Sequence, residues 1–159
     1  MKRFVITLTL MLVSVVTRAT AENIIVGDKL PDMRVQAWLM DLQPDKADYT
    51  CILFYHSESE LCKQSLRQIK RLVKANAPHF NMIIITKEDY ASAGVSLTEH
   101  LADNIGVTFD DKGRTFRYFG VKFIPFCVVC DSKNRAVWCG NGASLNQAVI
   151  SKILTIKKR

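Results

Sequence analysis

The chain has 159 residues, 48% of them hydrophobic and 23% charged, with a net charge of +7. That length holds one domain with a sizeable core, and the composition excludes a disordered chain. The positive charges are spread over one helix face and a Lys157-Lys158-Arg159 tail. A solvated face is expected from this pattern, with neither nucleic acid nor a membrane surface as partner.

Lys2 and Arg3 precede an apolar run over residues 4–16, and Ala19-Thr20-Ala21 follows. This is the pattern of a secretory signal peptide, residues 1–21, cut after Ala21. The alternative is an uncleaved anchor, but the run is shorter than the roughly 20 residues a membrane span needs. No cysteine follows the cut, which argues against a lipoprotein anchor. Loss of Lys2, Arg3 and Arg18 lowers the net charge from +7 to +4. The expected location is periplasmic or secreted, and residues 22–159 are expected to form the folded domain.

In the domain, residues 24–32 carry Gly27-Asp28-Lys29-Leu30-Pro31-Asp32, residues 34–39 are compatible with a short strand, and residues 43–48 with a polar loop. Residues 50–55, with the apolar run Cys51-Ile52-Leu53-Phe54, read as a buried central strand. A polar turn, His56-Ser57-Glu58-Ser59, leads to a helix over residues 59–77 that stops at Pro78. Cys62, Leu66, Ile69, Leu72 and Val73 share its apolar face, and Lys63, Arg67, Lys70, Arg71 and Lys74 take the other. Met82-Ile83-Ile84-Ile85-Thr86 reads as a second buried parallel strand. Residues 87–96 give a polar connection. Residues 97–104 are expected to be helical, with Leu97 and Leu101 inward.

The turn Asp110-Asp111-Lys112-Gly113 precedes a short helical piece ending at Gly120. Pro125 then opens a strand running to Cys130, as a residue without a ladder donor can. A hairpin over residues 131–134 leads to a strand over residues 135–139, and a helix over residues 145–156 closes the domain. The expected order is strand, helix, strand, helix, strand, strand, helix. Alternating elements favour an α/β class, with a sheet covered by helices on both faces.

Three stretches together resemble the thioredoxin superfamily, most closely its bacterial envelope branch of TlpA/ResA-type and AhpC/TSA-type proteins. They are the Gly27-Asp28 entry, the strand, turn and helix around Ser59-Glu60-Leu61-Cys62, and Gly120-Val121 followed by Pro125. The resemblance implies a thioredoxin-like fold, a central mixed sheet between helices, and a cis peptide at Pro125. It also implies an active site of the form Cys-x-x-Cys at a helix start. Here the first position is Ser59, and only Cys62 remains.

In a dithiol oxidoreductase the first cysteine attacks and the second resolves the mixed disulfide. Ser59 can do neither, because a hydroxyl without a dedicated base is no nucleophile. It is expected to cap the helix, placing Cys62 in the first turn, where the helix dipole lowers a thiol pKa. If Ser57 caps instead, Ser57-x-x-Glu60 forms a capping box and Cys62 moves into the second turn. Glu58 and Glu60 would then oppose ionisation. A buried, inert Cys62 is equally compatible with the pattern.

Three functions follow. One is a domain, linked to envelope thiol–disulfide homeostasis or to protein binding, that takes envelope or secreted proteins or peptides in the groove between the Ser59 turn and Pro125 without chemistry. Another is a single-thiol redox protein forming mixed disulfides through Cys62. The third is a peroxidase, because Tyr55-x-x-x-Ser59-x-x-Cys62 keeps the serine and cysteine of the peroxiredoxin motif but lacks its proline. Phe123-Ile124-Pro125 also stands where that family places an arginine. No cofactor is implied.

The remaining cysteines, Cys51, Cys127, Cys130 and Cys139, are compatible with a structural disulfide or with plain core packing. Cys127 and Cys130 have redox-motif spacing, but within a strand they point to opposite faces. His56, His79 and His100 have no metal-ligand spacing. His56 is placed either to hydrogen-bond a thiolate or to face solvent.

Overall fold

Seven residues rich in β-branched and aromatic side chains, Tyr49–Tyr55, form β1, and residues 51–55 are buried on both sides. A strand with that burial belongs in the middle of a sheet, and β1 lies there. The computed structural model describes residues 23–156. Residues 1–22, which include the expected signal peptide, and the Lys157-Lys158-Arg159 tail lie outside the described residues.

The other strands are β2, Phe80–Thr86; β3, Ile105–Phe109; β4, Phe126–Asp131; and β5, Ala136–Asn141. They form one sheet in the order β3-β2-β1-β4-β5. β1 is parallel to β2 and antiparallel to β4, β2 is parallel to β3, and β4 is antiparallel to β5. The helices are α1, Glu60–Ala75; α2, Tyr90–Thr98; α3, Arg114–Tyr118; and α4, Gln147–Ile156.

Strand alternation sorts the core into two layers. Tyr49, Cys51, Leu53 and Tyr55 of β1 meet Cys62, Leu66, Ile69 and Val73 of α1, Leu97 of α2, and Ile150 and Ile153 of α4. Ile52 and Phe54 meet Phe116, Phe119 and Leu30 on the other face. Helices therefore cover both faces of a mixed sheet.

The two shortest α-helices, α2 and α3, are held at their starts by carboxylates. Asp89 caps α2 by accepting the Ser92 N–H at 2.8 Å. The buried Asp110 accepts the N–H groups of Arg114 at 2.8 Å and Phe116 at 2.9 Å at the start of α3. Asp131 Oδ1 accepts from Lys133 at 2.9 Å and Arg135 at 3.0 Å, closing the hairpin between β4 and β5.

The structure corrects three expectations. Residues 97–104 are not a helix: α2 ends at Thr98, and a connection leads into β3. The spacing of Leu97, Leu101 and Ile105 mimics a helical stripe but spans a helix end, a turn and a strand start. Residues 87–96 are not a plain polar connection, since most of α2 lies there. Residues 34–39 are not a ladder strand. Bridges join Trp38 to Thr108 and Lys29 to Arg135, and the segment crosses one sheet face as irregular chain.

The same segment closes over β3 at Gly106. A Cβ there would lie 2.6 Å from Pro44 Cδ, 2.9 Å from Trp38 Cζ3 and 3.2 Å from the Leu42 carbonyl oxygen. Gly106→Ala should therefore force the segment around residues 38–44 off the sheet. The expected loss is about 1–3 kcal/mol, the usual cost of overpacking, measured as a lower urea midpoint. An unchanged midpoint would show that the segment yields freely.

Candidate functional site

Strand order assembles the candidate site. Because β1 and β2 are parallel, the turns that follow them emerge at the same sheet end. Because β4 is antiparallel to β1, with Phe126 opposite Phe54, the chain entering β4 arrives at that end too. The turn at residues 56–59, the turn at residues 87–89 and Pro125 are thus brought together.

Ser59 is the N-cap of α1, with extended backbone at φ −86° and ψ 114°. Its hydroxyl accepts the Cys62 N–H at 3.3 Å, and its carbonyl accepts the Lys63 N–H at 3.0 Å. This settles the choice of cap. Ser57 does not form a box with Glu60, whose carboxylate instead pairs with Lys63 at 2.7 Å.

Ser57 serves another partner. Its N–H donates to Glu88 Oε2 at 2.9 Å, and its hydroxyl donates to Glu88 Oε1. The Thr86 hydroxyl also donates to Glu88 Oε2, at 2.8 Å. The turn after β1 is thereby tied to the turn after β2. Burial opposes ionisation of Glu88, but the hydrogen bonds from Ser57 and Thr86, with His56 nearby, outweigh it and hold the carboxyl below its usual range. His56 Nδ1 accepts the Glu58 N–H at 3.2 Å and lies 3.8 Å from Glu88 Oε1. The ring is half-buried and engaged in its own turn.

Cys62 occupies the first turn of α1 and is 0% exposed. It faces inward beside Leu66 and Ile69. One turn later the Ser65 hydroxyl is buried, with no hydrogen-bond partner among the described residues. Tyr55, at the end of β1, has its phenol pushed up to about 12 by burial, then by Cys62, Glu88 and Glu99.

Pro125 follows a cis peptide bond and is buried. Its carbonyl accepts the Gly142 N–H at 2.9 Å. A Cβ on Gly142 would meet Leu53 Cδ1 at 3.2 Å, Pro125 Cβ at 3.3 Å and Ser65 Cβ at 3.4 Å. Gly142 is therefore the point where β1, α1 and the Pro125 segment touch. A glycine between Asn141 and Ala143 at the end of a strand is a weak signal for a close contact. Two large apolar side chains in this region are exposed: Leu61 at 61% and Phe123 at 50%. Phe123 meets half-buried Phe126 edge-on at 5.5 Å.

All five cysteines are free thiols, so no disulfide joins Cys51, Cys127, Cys130 and Cys139. Cys127 belongs to the α1 layer and Cys130 to the opposite one, as alternation along a strand requires. Burial, reinforced by Cys130, pushes the Cys51 thiol up to about 12. Burial and then Asp131 push Cys130 up to about 11. Cys127 lies well above its usual value for the same first reason. Among the described residues, no group of three or more His, Cys, Asp or Glu is placed to hold a metal. No described helix is long and apolar enough to cross a membrane.

No protein-family model matches the chain. The comparison with curated protein sequences gives no match either. Solved structures do match. A thiol peroxidase from Chromobacterium violaceum superposes with a TM-score of 0.67 at 18% identity, covering 87% of this chain and 91% of that one. A structure described as a putative thiol:disulfide interchange protein DsbE from Chlorobium tepidum gives 0.60 at 22% identity, covering 84% and 98%. The peroxidoxin BcpB from Mycobacterium tuberculosis gives 0.63 at 15% identity, covering 84% and 96%. At these identities the likeness is one of fold. The chain has a thioredoxin-like fold, with a serine at the cap of its first helix and a buried thiol three residues further on.

The Glu88 tie makes a pH prediction. A carboxyl held below its usual value stabilises the fold fully above the ordinary range, near about 4.3, and loses that contribution as pH falls through the lower folded-state value. Urea midpoints of the wild type should exceed those of Glu88→Gln at pH 7, and the gap should close towards pH 3. A gap independent of pH would mean that the carboxylate charge is not what holds the two turns.

Proposed function

We propose that this chain is an exported thioredoxin-like binding protein. It would take extended segments of envelope or secreted proteins or peptides in the groove between the Ser59 turn and Pro125, within envelope thiol–disulfide homeostasis. The observation that carries this reading is the pairing of an N-cap serine at position 59 with a fully buried Cys62. The helix start keeps its geometry and presents no thiol to a partner. Two exposed, large apolar side chains support binding: Leu61 in the first turn of α1, and Phe123 two residues before the cis Pro125. Export rests on the signal-like residues 1–21. The TlpA/ResA-type affiliation rests on the Gly27-Asp28 entry and the Pro125 segment, and the Ser-x-x-Cys turn is then a remnant of the dithiol motif.

The fold neighbours include proteins described as thiol peroxidases and a thiol:disulfide interchange protein. Peroxide chemistry through Cys62 would need a thiol that peroxide can reach, and the thiol is enclosed by core side chains. A single-thiol exchange role meets the same obstacle.

Alkylation of the full chain across pH, with each cysteine mapped by mass spectrometry, tests the reading. Cys62 should label only after unfolding. Fast native labelling with a midpoint well below about 8.5 would overturn the binding reading in favour of single-thiol exchange. Ser59→Cys supplies the complement. The new thiol should sit at the helix cap, label in the native state, and form a disulfide with Cys62 that confers reductase activity on a model disulfide absent from the wild type. Failure to form that bond would show that the turn no longer has the geometry of the dithiol motif.

A further inference from the structure

The exposed side of α1 carries an arrangement that the Ser59 groove does not use. Lys63, Arg67, Lys70, Arg71 and Lys74 fall on one flank, and Glu60, in the first turn, is the helix's one acidic residue. Glu60 is consumed by Lys63 at 2.7 Å. Lys70 donates to His100 Nδ1 at 3.3 Å, with His100 held below its usual pKa by burial and then by Lys70. Arg67, Arg71 and Lys74 have no ion pair among the described residues. Like charges one turn apart, as at residues 67 and 71 or 70 and 74, destabilise a helix. Within α1 only Glu60, paired with Lys63 and attracted to Arg67, offsets this cationic flank.

The same residues rim a groove of about 700 Å³. Arg67, Lys70, Arg71 and Lys74 line it from α1, and His100 and Asn104 from the connection between α2 and β3. The floor is mostly apolar, built from Ile105, Ala102 and the aliphatic stems of the basic side chains. Asp103 lies between these residues in sequence but does not line the groove. A second cleft of about 290 Å³, under Tyr55, shares Arg67 and His100 with it, so the depression continues along the seam between α1 and α2 towards Ser57. Glu99 stands at that far end, 3.7 Å from His100 Nε2.

We propose that this groove docks an extended acidic segment of a partner protein, with carboxylates at alternate positions and small apolar side chains between them. Charge complementarity selects an anion, and the geometry selects its form. Successive turns of α1 place cations about 5.4 Å apart along the axis. Alternate side chains of an extended chain recur about every 6.6 Å. Carboxylates two residues apart can thus meet Arg67 and Arg71, whose guanidinium groups pair with carboxylates bidentately. The intervening side chains then turn towards the apolar floor. A lipid surface fits less well, because the large apolar side chains exposed on the described residues lie elsewhere and none in this region could insert. Single-stranded nucleic acid would want a stacking surface; the groove's lining holds no aromatic residue beyond His100, and Tyr55 in the adjoining cleft is buried. This surface is separate from the Pro125 groove, and either reading can fail alone.

The test is binding of a labelled, end-blocked Glu-Val-Glu-Val-Glu peptide to the full chain by fluorescence anisotropy. A reordered Glu-Glu-Glu-Val-Val peptide is the control, with hydrogen exchange to locate the contact. The alternating peptide should bind more tightly than the reordered one and protect the second half of α1 and residues 100–105. Loss of a charge-assisted contact in Arg71→Glu or Arg67→Glu should weaken binding about tenfold or more. Lys133→Glu, on the hairpin, should change little. Urea midpoints of the variants confirm that they fold. Equal binding of both peptides, indifferent to Arg71, would overturn the proposal in favour of a general positive field. So would binding to phosphatidylglycerol vesicles, sensitive to Arg71→Glu, without binding of the alternating peptide.

Discussion

The burial of β1 on both faces is the constraint from which the rest follows. A strand whose residues 51–55 are all buried needs a ladder on each side and a layer above and below. The parallel partner β2 aligns the turns after both strands, which makes the Ser57–Glu88 contact possible. The antiparallel partner β4 starts where β1 ends, which carries Pro125 to the same place. Gly142 completes the contact, since it is small enough for β1, α1 and the Pro125 segment to meet without displacement. The candidate site is a product of strand order more than of any local motif.

Where one physical signal dominates, the chain is legible. The apolar runs of β1 and β2, the two-sided stripe of α1, and Pro125 at a strand start each reflect one strong local requirement. The Ser59 cap was one of two readings, and sequence alone left it open because Ser57 and Ser59 are both good cap residues. What decided it is Glu88, 31 residues away, which occupies Ser57. Such a contact leaves no trace in local spacing. The boundary between α2 and β3 failed for a different reason. Leu97, Leu101 and Ile105 are all inward, but in different elements, so their spacing imitates a single helix. The glycine in Ile105-Gly106-Val107-Thr108-Phe109 further weakens a strand pattern that is present to let residues 38–44 approach closely.

The thiols show how burial decides between chemistry and packing. A helix start favours a thiolate only if the sulfur can keep its charge solvated or paired. Cys62 has the position without the access, since its side chain belongs to the same layer as Leu66 and Ile69. For Cys51, Cys127 and Cys130 the same burial drives the thiols upward. Exchange proceeds through a thiolate, so these groups are slow to react even where an oxidising compartment would permit bonds. Four of the five cysteines, Cys51, Cys62, Cys127 and Cys130, are closed off by the core, while Cys139 is only partly buried. Alternation across the sheet, with Cys127 and Cys130 on opposite faces, makes the buried ones small core residues.

With Cys62 buried, α1 presents no thiol at its start. In a dithiol enzyme the helix start is the reactive element, and the rest of the helix supports it. Here the start is closed by the Ser59 hydroxyl and the Glu60–Lys63 pair. The inward face is spent on the core, which leaves the cationic flank as the part of α1 free to act on another molecule. A helix kept only for packing would gain from an acidic residue opposite Arg67 or Arg71, because such pairs stabilise helices at no cost to the core. That this flank stays uniformly basic above an apolar-floored groove is therefore better explained by an external anion than by the needs of the fold.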